Sequence, residues 1–310
     1  MRLDLLAALA GVLVALQSRI NGELALRLNN SLEAAIISFG TGLIVVTAIS
    51  IFIPGVKTGT KKLIAAVRAR ELPKVRLFAG SIGATFVAVQ TQIVPILGVA
   101  IFSVAAIAGQ TAVSLGVDRW GLTGGGKKEI TTRRVIAAIL TIIAVLVSVW
   151  DRINAENLSL FAVVLGILAG AIVGVQRAFN GQINEKSQQS FTTSLLNFIT
   201  GMLLLIFLMC VGLLTHHAHL SAIPHMPWWL YSGGTIGVFY IAFASTIVQH
   251  LGVLTFTLFT VGGQLLGSLL IDVLAPTAGV HISWYLISGI VMTYLGVIVS
   301  GSGQSRFARK

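Results

Sequence analysis

Apolar runs of roughly 20 residues recur along this chain, and a run of that length is what a helix needs to cross a lipid bilayer. No other feature limits the fold as much. An open sheet cannot satisfy its backbone polar groups in lipid, so every span is expected to be helical. Ten spans are predicted, at about residues Leu3–Ile20, Leu32–Ile53, Leu77–Val94, Gly98–Val117, Val135–Trp150, Leu160–Phe179, Thr192–Leu214, Trp229–Val248, Leu251–Ile271 and Trp284–Ser300. Pro54-Gly55 is expected to end the second, and Pro95 to close the third. The composition agrees, because 10% charged residues and a mean hydropathy of +0.92 leave too little charge to cover a soluble surface. A soluble domain carries about 25%. The 33 glycines suit helices that pack closely in lipid. Cys210 is the only cysteine, so no internal disulfide is possible. The first run follows Arg2 and leads into a motif rather than a small-residue cleavage site, so it reads as a retained span.

That motif is written twice. QSRINGELALRLNNSLEAAIISFGTG, from Gln17 to Gly42, returns as QRAFNGQINEKSQQSFTTSLLNFITG from Gln176 to Gly201. At a constant offset of 159 residues (17 to 176), Gln17, Asn21, Gly22, Ser31, Phe39, Thr41 and Gly42 meet Gln176, Asn180, Gly181, Ser190, Phe198, Thr200 and Gly201. Later segments align at an offset of 154 (110 to 264). There Gly80, Gly83, Leu97, Gly98, Gly109, Gln110, Ser114 and Asp118 meet Gly234, Gly237, Leu251, Gly252, Gly263, Gln264, Ser268 and Asp272. The chain thus divides into a first five-helix repeat, 1–155, and a second, 156–310.

Loop charge sets orientation, since Lys and Arg favour the cytoplasmic side. The loop after the second span holds Lys57, Lys61, Lys62, Arg68, Arg70, Lys74 and Arg76 against Glu71, while its counterpart, Thr215 to Pro227, holds no Lys or Arg. Five bases follow the fourth span and none its counterpart. Arg177 and Lys186 are assigned to the loop after the sixth span, and Arg306, Arg309 and Lys310 to the C-terminus. Both termini are then cytoplasmic and the second repeat is inverted. Inverted repeats are the architecture of many secondary transporters, whose substrate sites lie near the midplane at the repeat interface. The net charge of +11 is explained by this topology rather than by nucleic acid. The IAAVRARE stretch of the basic loop is expected to form a short helix on the membrane surface, where lipid headgroups are candidate partners.

The QxxxNG element, the F-x-x-G after it and the GQ…S…D segment, present once per half, resemble the YdcZ-type family of the drug/metabolite transporter superfamily. The resemblance covers nearly the whole chain. It implies a bacterial inner-membrane protein of an exporter group, with ten helices from two fused five-helix units. The halves also differ: Ser38 is replaced by Asn197, and Gln90 and Gln92 by Ala244 and Thr246, so an asymmetric site is expected.

Polar side chains inside a membrane are costly and are candidates for function. Gln17 and Asn21 are one helical turn apart, as are Gln176 and Asn180. Amides without charge suit a neutral or zwitterionic solute. Two readings stay open: the pairs line a substrate cavity, or they tie helices together near their ends. Gln110 and Gln264 sit deeper and allow the same two readings. Asp118 and Asp272 are the repeated acids and the candidates for proton coupling. At a membrane boundary, with Arg119 beside Asp118, they also read as solvated acids. Gly80, Gly83, Gly234 and Gly237 are expected to let the third and eighth spans approach their neighbours. His216, His217, His219 and His225 crowd one loop but lack Cys or carboxylate partners. Gly124-Gly125-Gly126-Lys127 lacks the spacing of a phosphate loop and reads as a linker. No cofactor, metal site or catalytic constellation is expected.

The sequence therefore predicts an all-α membrane protein that exports a small metabolite by alternating access, as a monomer with an internal pseudo-dimer or as a homo-oligomer. The competing reading is a structural or lipid-organising membrane protein without transport.

Overall fold

The computed structural model describes residues 3–120, 130–148, 150, 159–216, 218–221, 225–251, 253–275 and 282–301. Among these, every regular element is helical. The α-helices are α1 (Leu3–Leu28), α2 (Ser31–Phe52), α3 (Pro54–Arg68), α4 (Ala79–Leu97), α5 (Val99–Arg119), α6 (Thr132–Ser148), α7 (Leu160–Ser187), α8 (Ser190–Leu214), α9 (Gly233–Leu251), α10 (Val253–Leu274) and α11 (Trp284–Gly301). Single 3-10 turns, Lys74–Phe78 and Trp228–Ser232, lead into α4 and α9. These helices fall on the stretches expected from sequence, with α3 starting well before the IAAVRARE stretch. Six segments among the described residues are long and apolar enough to cross a membrane: Leu5–Leu28, Ser31–Phe52, Lys74–Leu97, Val99–Val117, Leu160–Ser187 and Ser190–Leu214. Their outward faces carry bare apolar side chains such as Ile44, Phe52, Leu203 and Phe207, which suit lipid rather than water.

Several local expectations need correction. α1 and α7 run to Leu28 and Ser187, so the repeated Gln and Asn lie inside helices rather than near their ends. Arg177 likewise sits within α7, not in a loop. Pro95 lies inside α4, and the chain turns instead at Gly98, whose φ of 80° is the left-handed conformation that glycine adopts freely. The helix of the basic loop starts at Pro54, a good first helical residue because its missing N–H would have no partner there. Its apolar side faces the protein: Leu63 joins Leu72, Ala79 and Ile183 in a buried cluster. Lys57, Lys61 and Arg68 are left exposed.

The first two helices of each repeat are joined the same way. Asn29 and Gln188 take positive φ, 49° and 53°, and reverse the chain. Asn30 and Gln189 then cap α2 and α8, accepting from the N–H groups of Glu33 and Phe191. Each cap region also holds the segment that follows the other repeat's second helix. Asn30 Nδ2 donates to the His219 carbonyl at 2.7 Å, and the Ser221 N–H donates to Glu33 Oε2 at 2.9 Å. Thr192 Oγ1 donates to the Val56 carbonyl at the start of α3.

The described chain forms two compact units, each built from matching pieces of both repeats. One comprises residues 1–16, 96–175 and 247–310. In it α6 packs along α11 and α5 against α10. A Cβ on Gly109 would strike the Ile167 carbonyl oxygen, and one on Gly170 that of Ala106. Gly11 and Gly263 stand in the same relation to Thr260 and Ala8, the equivalent residues. Asp272, 2% exposed, ends this packing: its carboxylate accepts from the N–H groups of Val99 (3.3 Å) and Ala100 (2.7 Å), capping α5. Asp272→Ala is expected to lower stability by about 2 kcal/mol, the upper range for a lost cap. A chemical or thermal denaturation midpoint equal to wild type would refute that.

The other unit comprises residues 17–95 and 176–246, with α2 and α8 packed together at its centre. Phe39 and Phe198 lie with ring centroids 5.1 Å apart. Each ring fills the space left by the other repeat's glycine, Phe198 at Gly42 and Phe39 at Gly201. Ala35, Val46, Ala84, Val87, Leu205 and Val238 complete the apolar core.

Candidate functional site

All four motif amides fall in this second unit, on the C-terminal portions of α1 and α7. Helical geometry sets Gln17 and Asn21 on one side of α1, next to α9. Gln17 Nε2 donates to the Gly233 carbonyl at 3.0 Å. A Cβ on Gly237 would come within 2.8 Å of the same nitrogen. Asn21 Nδ2 donates to Gln90 Oε1 at 3.1 Å, and Gln90 Nε2 donates to Ser18 Oγ at 2.7 Å. Asn21 and Gln90 are both fully buried. The Asn21 Oδ1 atom, set against Gly233, is buried and has no donor.

The second repeat builds a different network. Gln176 Nε2 donates to Asn197 Oδ1 at 3.1 Å, and Asn197 Nδ2 donates to Asn180 Oδ1 at 2.7 Å and to the Thr193 carbonyl at 2.9 Å. Asn197 is 1% exposed and is the hub. Its counterpart Ser38 is too short for that role, and Gln90 supplies the bridging amide in the first repeat. In the sequence Asn197 stands out only as a difference between the halves, and Gln90 as that and as a polar residue in the last turns of the third span, where at most one of Gln90 and Gln92 faces a given cavity. Their part in the networks depends on tertiary neighbours that spacing along one helix does not reveal.

The glycines of α4 and α9 lie where these networks meet the helices. A Cβ on Gly83 would collide with the Gln176 amide, one on Gly80 with the Asn197 carbonyl oxygen, and one on Gly234 with the Ser38 carbonyl oxygen. The contacts are reciprocal: α4 of the first repeat meets α8 of the second, and α9 of the second meets α2 of the first.

Gln110 and Gln264 belong to the other unit, 8% and 2% exposed. Gln110 Oε1 is buried without a donor. Asp272 is buried and engaged as a helix cap, not solvated. Asp118 stands in α5, and its side chain lies outside the described residues, as do the Gly124–Lys127 segment, His217 and the C-terminal bases. Among the described residues no cluster of His, Cys, Asp or Glu is placed to hold a metal. A shallow apolar hollow at the start of α11, lined by Trp284 and Tyr285, contains none of the candidate residues.

Long apolar helices with outward lipid-suited faces, and amides bonded to one another in their interior, define a polytopic helical membrane protein. The family described as "Putative inner membrane exporter, YdcZ" (DMT_YdcZ) matches residues 3–147 and again 161–299. The chain belongs to that family, in its two-repeat form. No curated protein matches it. A crystal structure resembles it over 99% of this chain and 98% of its own, with a TM-score of 0.55 and 14% identity, a likeness of fold alone.

Proposed function

We propose that the chain is a secondary transporter exporting a small metabolite across the bacterial inner membrane, by alternating access between two inverted five-helix repeats of residues 1–155 and 156–310. Family membership supports export, and the loop charges support inversion with both termini cytoplasmic. The reciprocal contacts support a two-fold relation between the repeats, because a two-fold axis brings residue i to j and j to i. On this reading ten helices cross the membrane and the protein works as a monomer. Gln17, Asn21, Gln176 and Asn180 receive the solute, joined by Gln90 and Asn197; Gln110 and Gln264 are separate candidate solute contacts within the other unit. Asp118 and Asp272 are the proposed coupling acids.

The observation that carries this reading is Asn21. Its Nδ2 donates to Gln90, its Oδ1 acceptor has no donor, and the residue is fully buried. Leaving a buried acceptor unmade costs about 1–3 kcal/mol, and a ligand donor arriving there would recover it. The alternative, a structural or lipid-organising protein, draws on the second network, where Gln176, Asn197 and Asn180 bind one another and need no ligand.

A solute panel screened by thermal shift on purified protein separates the two. Export predicts that some solute raises the melting temperature. Vesicle uptake of that solute is then expected to fall about tenfold in Asn21→Ala and further in the Gln17→Ala/Gln176→Ala double variant, as loss of one to two hydrogen bonds implies. Transport unchanged in the double variant would overturn the amide site.

A further inference from the structure

We propose that Arg177 gives this site an anion-recognising end, so that the exported solute carries an oxyanion group, carboxylate or phosphate. The inference rests on the export reading above and narrows it: zwitterions and anions fit, and purely neutral solutes do not.

Arg177 lies inside the apolar span Leu160–Ser187, between Gln176 and Asn180 of the motif. A guanidinium stays charged at any physiological pH and offers five N–H donors. Here one terminal nitrogen donates to the Tyr240 hydroxyl at 3.2 Å, while Nε is buried with no acceptor. The carboxylates of the same unit are committed elsewhere. Glu23 pairs with Arg19 and Arg27, Glu33 accepts from Asn30 and the Ser221 N–H, and Glu71 pairs with Lys186. Glu185 is exposed and two helical turns from Arg177, about 12 Å along the axis. Among the described residues no acid forms an ion pair with Arg177. An unneutralised cation within a membrane protein is expensive, which makes it a functional feature by default.

Its surroundings point to the amide site. Gly233, Gly237 and Tyr240 recur at i, i+4 and i+7 and so share one face of α9. Gln17 is seated at Gly233 and Gly237, and Arg177 at Tyr240. One helix face thus aligns an uncharged amide with a cation and a phenol, roughly 10 Å apart along the axis. The arrangement also breaks the duplication. The equivalents of Arg177 and Tyr240 in the first repeat are Ser18 and Phe86, so the cation and its hydroxyl partner occur together in one copy and neither occurs in the other. A helix tie needing only neutral bonds already exists at Ser18, which accepts from Gln90.

The test uses the purified full-length protein and four probes at millimolar concentration: succinate, inorganic phosphate, glycine and the neutral succinamide. Succinate, glycine or phosphate is expected to raise the melting temperature while succinamide does not. A response to the carboxylates alone or to phosphate alone identifies which oxyanion is recognised. Arg177→Gln is expected to keep or raise the ligand-free melting temperature and to weaken the effective probe about tenfold or more, the loss of a charge-assisted contact. Arg177→Lys should retain part of the response, and Tyr240→Phe, a milder change, should weaken it with the fold intact. No response to any anionic or zwitterionic probe overturns the proposal, as does an undiminished response in Arg177→Gln or Tyr240→Phe, or an equal response to succinamide. If a neutral solute is transported equally by wild type and Arg177→Gln, the anion assignment falls while the export reading stands.

Discussion

Gly234→Leu and Gly80→Leu should each yield little folded protein, seen as aggregated material on size exclusion and a collapsed melting transition. A Cβ at Gly234 would meet the Ser38 carbonyl oxygen, with the Gly42 nitrogen at 2.5 Å and Thr41 Oγ1 at 2.7 Å. At Gly80 it would meet the Asn197 carbonyl oxygen and, at 2.5 Å, the Asn197 Cα. All of these but Thr41 Oγ1 are backbone atoms of a neighbouring helix and cannot swing aside as a side-chain tip can. The helices would have to part, breaking the packing that small residues permit in lipid. Overpacking a well-filled core typically costs about 1–3 kcal/mol, and a leucine pressed against backbone belongs at or above that range. Gly40→Ala is the control. Its Cβ would touch only Met202 Cε at 3.8 Å, so it should be neutral or gain about 0.5–1 kcal/mol from helix propensity. If Gly234→Leu melts with Gly40→Ala, the close crossing is wrong.

Residues 1–155 expressed without residues 156–310 should not give a stable monomer. The packing partners of Phe39, Gly42 and Gly80 are Phe198, Phe198 and Asn197, all from the second repeat. Gly109 in the first repeat closes against Ile167 in the second, and Gly11 against Thr260. Alone, the first repeat would expose each of these faces. Co-expression of the two halves as separate chains should restore a complex that co-purifies and melts near the intact protein, because each of these contacts joins a residue of 1–148 to one of 159–310. A half that purifies as a stable monomer would contradict the interleaved core.

Much of this was legible in the sequence. The starts of ten helices were placed within about four residues because unbroken apolar length is a strong signal, and the duplication told that the halves would share a plan. The ends of α1 and α7 were misjudged because NGELALRL and NGQINEKS are polar enough to read as loops. They remain helical because Leu24, Leu28 and Ile183 are buried by tertiary packing. Pro95 misled for the opposite reason, since a helix in a bundle tolerates a missing N–H that a lone helix would not. The candidate amides were visible, but their partners were not. Gln90 reaches Asn21 across 69 positions of sequence, and Gly233 reaches Gln17 across 216. Arg177 was hidden by an ordinary rule, which counts an arginine beyond an apolar run as a topological signal.

The exchange of Phe and Gly between the copies bears on how such a gene can change. After a duplication one copy is usually free to drift while the other keeps the old role. Here Gly42 makes room for Phe198 and Gly201 for Phe39, so a larger residue at either glycine injures the opposite copy's aromatic ring. Mutations at these four positions are therefore expected to be coupled across the two repeats. Positions such as 18 and 177, outside that exchange, are where the two copies are at liberty to become different proteins.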